Sequence, residues 1–85
     1  MPSKAIWEVY IIQTESGKLY TGITTDLDRR LAEHRTGGKG ARFFRFSHAE
    51  KIVFREPQSN RSEATRREIV IKKMSRKEKL ELKMF

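Results

Sequence analysis

The chain has no cysteine among its 85 residues, which removes disulfide staples and thiolate metal sites from consideration. Long apolar runs are missing too. Trp7, Val9, Ile11 and Ile12, then Ile52 to Phe54, then Ile69 to Ile71 form only short groups, far below the roughly 20 residues of a membrane span. No secretory apolar stretch follows Met1. These absences point to a cytoplasmic protein that does not enter a membrane. Acidic residues are in deficit: eleven Asp and Glu face nineteen Lys and Arg, a net charge of +8. Such an excess favours a polyanionic partner, nucleic acid before anionic membrane. No repeat, linker or low-complexity tract interrupts the sequence, so residues 1–85 read as one small domain with a modest core.

Trp7 to Gln13 is rich in β-branched and aromatic residues and reads as a strand, with Glu15-Ser16-Gly17 as a turn and Leu19 to Thr24 as the returning strand. A three-residue loop with Gly17 left-handed sets Thr14 against Lys18, Ile12 against Tyr20 and Tyr10 against Gly22. Tyr10 and Tyr20 then share a face as diagonal neighbours, and Gly22 leaves open space beside Tyr10. Thr25 or Asp26 caps the next helix, which runs through Leu27, Leu31 and His34 to Gly37-Gly38. Leu31 and His34 fall within about 40° of Leu27, and Arg30 about 60° away, so a cation and a titratable ring turn toward the hairpin.

Gly38 to Phe46 reads as a glycine-loosened loop and a short helical turn, and Ala49 to Glu56 as a third strand ended by Pro57. Asn60 with Glu63, and Ser75 with Glu78, have the spacing of capping boxes for two closing helices. The order ββα-β-αα places the chain in the α/β (α+β) class. Ala64, Glu68 and Ile71 point the same way on the first closing helix, so a carboxylate interrupts its inward stripe. An acid so placed must be paired, hydrogen-bonded or bound to a metal. Arg30 or Lys72 could serve as a structural partner. Taken singly, Tyr10 and Tyr20 suit cross-strand packing, Arg30 an ion pair with Glu33 or Asp26, and His34 a helix-terminal site.

Together, these residues resemble the GIY-YIG nuclease superfamily. Val9-Tyr10-Ile11 and Tyr20-Thr21-Gly22 stand at its two name motifs, Arg30 and His34 on the helix that follows, and Glu68 at the metal-binding glutamate. The run from Leu19 to His34, with Gly38 to Arg42 and Ile71 to Arg76, is similar to the small stand-alone YhbQ-type (URI-domain) members. The resemblance implies a three-stranded antiparallel sheet flanked by helices and a metal-dependent endonuclease acting on DNA phosphodiester bonds. Tyr10 is expected to act as general base or to position the attacking water, and Tyr20 to hold water or a phosphate oxygen. Arg30 would stabilise developing negative charge, and His34 would hydrogen-bond within the site or relay a proton. Glu68 would ligate a divalent cation, Mg²⁺ before Mn²⁺, which suits one carboxylate plus waters and phosphate oxygens. A tyrosine base needs a cationic neighbourhood, since its reference pKa is about 10; Arg30, the metal and Lys39 could supply it.

Three positions depart from the wider pattern: Glu8 replaces a motif glycine, Ile23 a lysine of nucleotide-excision relatives, and Val70 an asparagine. Arg42, Phe43, Phe44, Arg45 and Phe46 interleave cations with rings, a mixture that holds phosphates and stacks bases. Lys39, Arg42 and Arg45 are the expected nucleic-acid contacts. With no separate targeting domain in view, weak specificity or a targeting protein partner is expected. A catalytically weak binding module, and RNA in place of DNA, are the competing readings.

Overall fold

Strand β1 (Trp7–Thr14) carries apolar side chains on both faces, and that decides its place at the centre of the sheet. It pairs antiparallel with β2 (Leu19–Thr24) on one side and β3 (Ala49–Gln58) on the other, giving the order β2-β1-β3. Helices α1 (Leu27–Thr36), α2 (Arg61–Lys72) and α3 (Arg76–Glu81) complete the order ββα-β-αα. The fold is seen in a computed structural model that describes residues 6–36 and 47–82. No helix among those residues is long and apolar enough to cross a membrane.

The pleat divides the core in two. Val9, Ile11 and Phe54 meet Ala64 and Ile71 of α2, all buried, with Met74 and Leu82 packed alongside. Tyr10, Ile12 and Ala49 meet Leu27 of α1 on the opposite face, with Tyr20, Leu31 and Ile52 beside them. Each fully buried Val, Ile or Phe contributes about 1.5–3 kcal/mol relative to exposure. An ion pair and a stacked cation fix α2 along this core: Arg67 Nε lies 3.0 Å from Glu56 Oε1, and the Arg61 guanidinium sits 5.7 Å from the Trp7 ring centroid.

The hairpin register follows the turn chemistry. Gly17 adopts φ +89°, the Thr14 N–H donates to the Lys18 carbonyl at 2.9 Å, and Ile12–Tyr20 and Tyr10–Gly22 are opposed as the loop length predicts. Asp26 caps α1 by accepting from the Arg29 N–H at 3.1 Å. Two expectations need correction. Strand β3 continues through Pro57, because it is an edge strand and a missing N–H there can face solvent. The Asn60–Glu63 box is half formed: Asn60 accepts from the Glu63 N–H, but the Glu63 carboxylate turns to Arg66 at 3.4 Å. The Ser75–Glu78 box closes in both directions.

Gly22 lies where no side chain fits. A Cβ there would stand 2.6 Å from the Tyr10 hydroxyl, 2.8 Å from Tyr10 Cζ and 3.1 Å from Tyr20 Cε2. Tyr10 is only 2 % exposed, so its ring cannot swing aside freely. Gly22→Ala is therefore expected to cost about 1–3 kcal/mol, the range for overpacking a filled core. In a double-mutant cycle with Tyr10→Ala, chemical denaturation should show much of that cost removed. Strict additivity would mean that the ring does not depend on the missing Cβ.

Candidate active site

The residues expected at the site come from four elements and meet around one depression of about 200 Å³, lined by Tyr10, Tyr20, Gly22, Ile23, Arg30, His34 and Glu68. Strand β1 supplies Tyr10, β2 supplies Tyr20 and Gly22, and α1 brings Arg30 and His34 over the hairpin face. Glu68 arrives by a different route. Its helix packs on the reverse face of the sheet through Ala64 and Ile71, and the carboxylate emerges at the β2 edge. The depression thus opens across an edge strand.

Three rings form its floor. Centroid separations are 6.3 Å for Tyr10–Tyr20, 6.4 Å for Tyr10–His34 and 5.5 Å for the edge-on Tyr20–His34 pair. The Tyr10 hydroxyl and His34 Nε2 stand 3.4 Å apart in a buried hydrogen bond whose direction depends on the imidazole tautomer. Arg30 pairs with Glu33 at 3.3 Å, which also holds Arg29 at 3.4 Å. Glu68, its side chain 18 % exposed, pairs with Lys72 at 3.3 Å. The structural partner of the inward carboxylate is thus Lys72, one helical turn on, and not Arg30.

Lys39, Arg42 and Arg45 lie outside the described residues. Sequence reasoning missed the forked ion pair in which Arg55 donates from Nε and Nη2 to the Glu8 carboxylate, both at 2.8 Å. It joins residues 47 apart in the chain, and no local pattern announces it. It gives a use to the acid that replaces a motif glycine: Arg55 is the β3 neighbour of Tyr10, and Glu8 holds its cation.

Burial governs the charge state of the floor. It pushes the Tyr10 phenol well above the ordinary tyrosine value; the nearby Tyr20 and Glu68 add to that, and Arg30 works against it. Burial, helped by Arg30, lowers the His34 imidazole to about 4, with Glu33 opposing. Both rings are therefore neutral near pH 7, a phenol beside an imidazole.

A metal would have to be held by few protein donors. Among the described residues no cluster of three or more His, Asp or Glu exists that could cage an ion. Glu68 offers one carboxylate at a polar opening, already matched by the cationic Lys72 as a stand-in. This donor set fits a hard cation that keeps most of its waters.

The chain matches the GIY-YIG catalytic domain over residues 6–81. It is 49 % identical over 69 residues to a UPF0213 protein of Desulfotalea psychrophila, an alignment covering 81 % of this chain and 63 % of that protein. A UPF0213 protein of Yersinia pestis is 42 % identical over 80 residues, 94 % of this chain and 83 % of the relative. The solution NMR structure of a UPF0213 protein from Bacillus halodurans is similar at 32 % identity and a TM-score of 0.49, covering 87 % of this chain and 78 % of that one.

Two measurements test the charge states. An imidazole lowered from 6.5 to about 4 on folding binds more protons in the unfolded chain between those values. Its contribution to stability is complete above about pH 6.5 and is lost as pH falls toward 4, by up to about 3 kcal/mol. His34→Gln should flatten the stability profile in that window; an unchanged slope would show that His34 is not buried neutral. Tyr20→Phe leaves Tyr10 as the only tyrosine, and its phenolate absorbance should emerge well above pH 10. Ionisation at the ordinary value would contradict the burial seen here.

Proposed function

Because the chain belongs to the GIY-YIG catalytic domain family, we propose that it is a metal-dependent endonuclease hydrolysing DNA phosphodiester bonds in the depression floored by Tyr10, Tyr20 and His34. Membership implies an endonuclease-type hydrolase with DNA as substrate; the metal dependence and the residue roles are our reading. The observation that carries it is convergence: two phenols, an imidazole, a guanidinium and a carboxylate from four elements face one opening.

A phosphodiester is anionic, so its hydrolysis needs positioned water and positive charge on the pentacoordinate phosphorus. Arg30 supplies a guanidinium at the wall, aimed by Glu33. The Tyr10 hydroxyl, held between Gly22 and His34, positions the attacking water and takes its proton as the hydroxyl proton moves to His34 Nε2. That transfer is uphill in the free protein, because burial resists charge on both rings. Glu68 would hold a divalent ion, which would supply positive charge favouring the phenolate and steadying the phosphate oxygens. Tyr20, edge-on to His34, would hold water or a phosphate oxygen.

The Lys72 ammonium on Glu68 favours a second reading, in which the ion binds weakly without substrate and turnover is slow. A cleavage panel of single-stranded, duplex, flap and branched DNA, and RNA, with and without Mg²⁺ or Mn²⁺, separates nuclease from binding module. Within it, Glu68→Gln should lower metal-dependent DNA cleavage at least about 100-fold. Stability should change by no more than about 0.5 kcal/mol, because the pair that is lost is an i,i+4 pair with a half-exposed lysine. A folded Glu68→Gln protein cleaving like the unaltered one would end this mechanism.

A further inference from the structure

A second depression, of about 300 Å³, lies where the β1–β2 turn meets α3, lined by Lys18, Leu19, Arg76 and Lys79. Arg76 donates from its guanidinium to the Gly17 carbonyl, so the tip of the hairpin and the start of α3 are tied together. Among the described residues no carboxylate forms an ion pair with Lys18, Arg76 or Lys79. The acid beside them in sequence, Glu78, is engaged in the capping box with Ser75. Three cations around a half-buried leucine make a surface for a chain that alternates charge with apolar rings.

We propose that this cleft is a contact for the DNA sugar–phosphate backbone, separate from the catalytic depression and in line with it along the β2 edge. The proposal takes its polyanion from the nuclease reading above. Leu19 in the cleft and Ile23 at the catalytic depression lie on the same face of β2, both packed toward α2, four residues apart, which is roughly 13 Å at strand spacing. Phosphates of one duplex strand advance about 3.4 Å each along the axis. A strand with its scissile phosphate at the catalytic opening therefore presents phosphates about four steps away to Lys18 and Lys79, with a sugar against Leu19. Lysines are strongly hydrated point charges on flexible stems and suit contacts that hold a backbone without reading bases.

The test compares Lys18→Ala, Lys79→Ala and the double variant with Lys51→Ala, which removes the same charge from the opposite edge strand β3. Arg76 is left intact because it ties the turn to α3. Binding to a short duplex is measured as a function of salt, and cleavage at saturating DNA is measured alongside. Each cleft lysine should reduce the slope of log affinity against log salt by about 0.9, and the double variant should bind at least about tenfold more weakly at about 50 mM salt. Saturated cleavage should persist, with the loss confined to KM. An unchanged slope in the double variant, or an equal loss in Lys51→Ala, would overturn the cleft while leaving the nuclease reading standing. An unaltered protein that neither binds nor cleaves DNA would end both.

Discussion

A tyrosine ring lying across a strand position that has no Cβ is the constraint on which the site depends. Tyr10 and Gly22 are opposed in the hairpin, and the Tyr10 hydroxyl occupies the volume a Gly22 side chain would fill. With the ring so placed, its hydroxyl reaches His34 on α1 and its edge reaches Tyr20. Glu68, from a helix packed on the reverse face, shares the opening. Moving the hairpin by one residue would turn Tyr10 into the α2 core and Ile11 into the site. The left-handed Gly17 turn prevents that slip.

The charges around this frame are arranged to rest. Arg30 is held by Glu33 and Glu68 by Lys72, and burial keeps the two innermost rings neutral. Every charged group at the rim thus has a counter-ion from its own helix, three or four residues away. Such half-exposed pairs cost little to open. A phosphate can draw Arg30, and a cation can displace Lys72, without leaving a buried charge unmatched. The buried groups behave in the opposite way, since charge on Tyr10 or His34 is expensive until positive charge arrives nearby. On the proposed nuclease reading, cheap exchange at the rim and resistance at the floor would make activation conditional on substrate and ion together.

Much of this arrangement was legible in the sequence, for local reasons. Period two in the hairpin, the Gly17 turn and period 3.6 in α1 together place Tyr10, Tyr20, Arg30 and His34 on one side, because each inference spans only a few residues. Ala64 and Ile71 marked the buried stripe of α2, and Glu68 with it. Pro57 misled because a strand's place at the sheet edge is a property of the whole sheet. The Glu8–Arg55 pair joins residues 47 apart in the chain and had no local signal. Leu80 is 48 % exposed, because six residues of α3 give too short a helix to bury a full stripe. How the sheet is flanked was also out of reach: α1 and α2 take opposite faces, which periodicity alone does not order.

The net charge of +8 is divided by residue type in a way composition could not reveal. Each described arginine has a task within the fold. Arg29 and Arg30 share Glu33, Arg55 takes Glu8, Arg66 takes Glu63 and Arg67 takes Glu56. Arg35 and Arg76 donate to backbone carbonyls, and Arg61 lies over Trp7. Of the described lysines, Lys72 alone forms an ion pair, which leaves Lys18, Lys51, Lys73, Lys77 and Lys79 with no ion-pair partner among the described residues. The rigid guanidinium fork suits the first task, and the hydrated ammonium on its flexible stem suits the second. The long-range field that would draw a polyanion is therefore carried, among the described residues, by side chains whose loss should leave the fold intact. Binding and folding can then be altered independently, lysine by lysine, which is why the cleft beside the hairpin can be tested without disturbing the rings at the floor of the site.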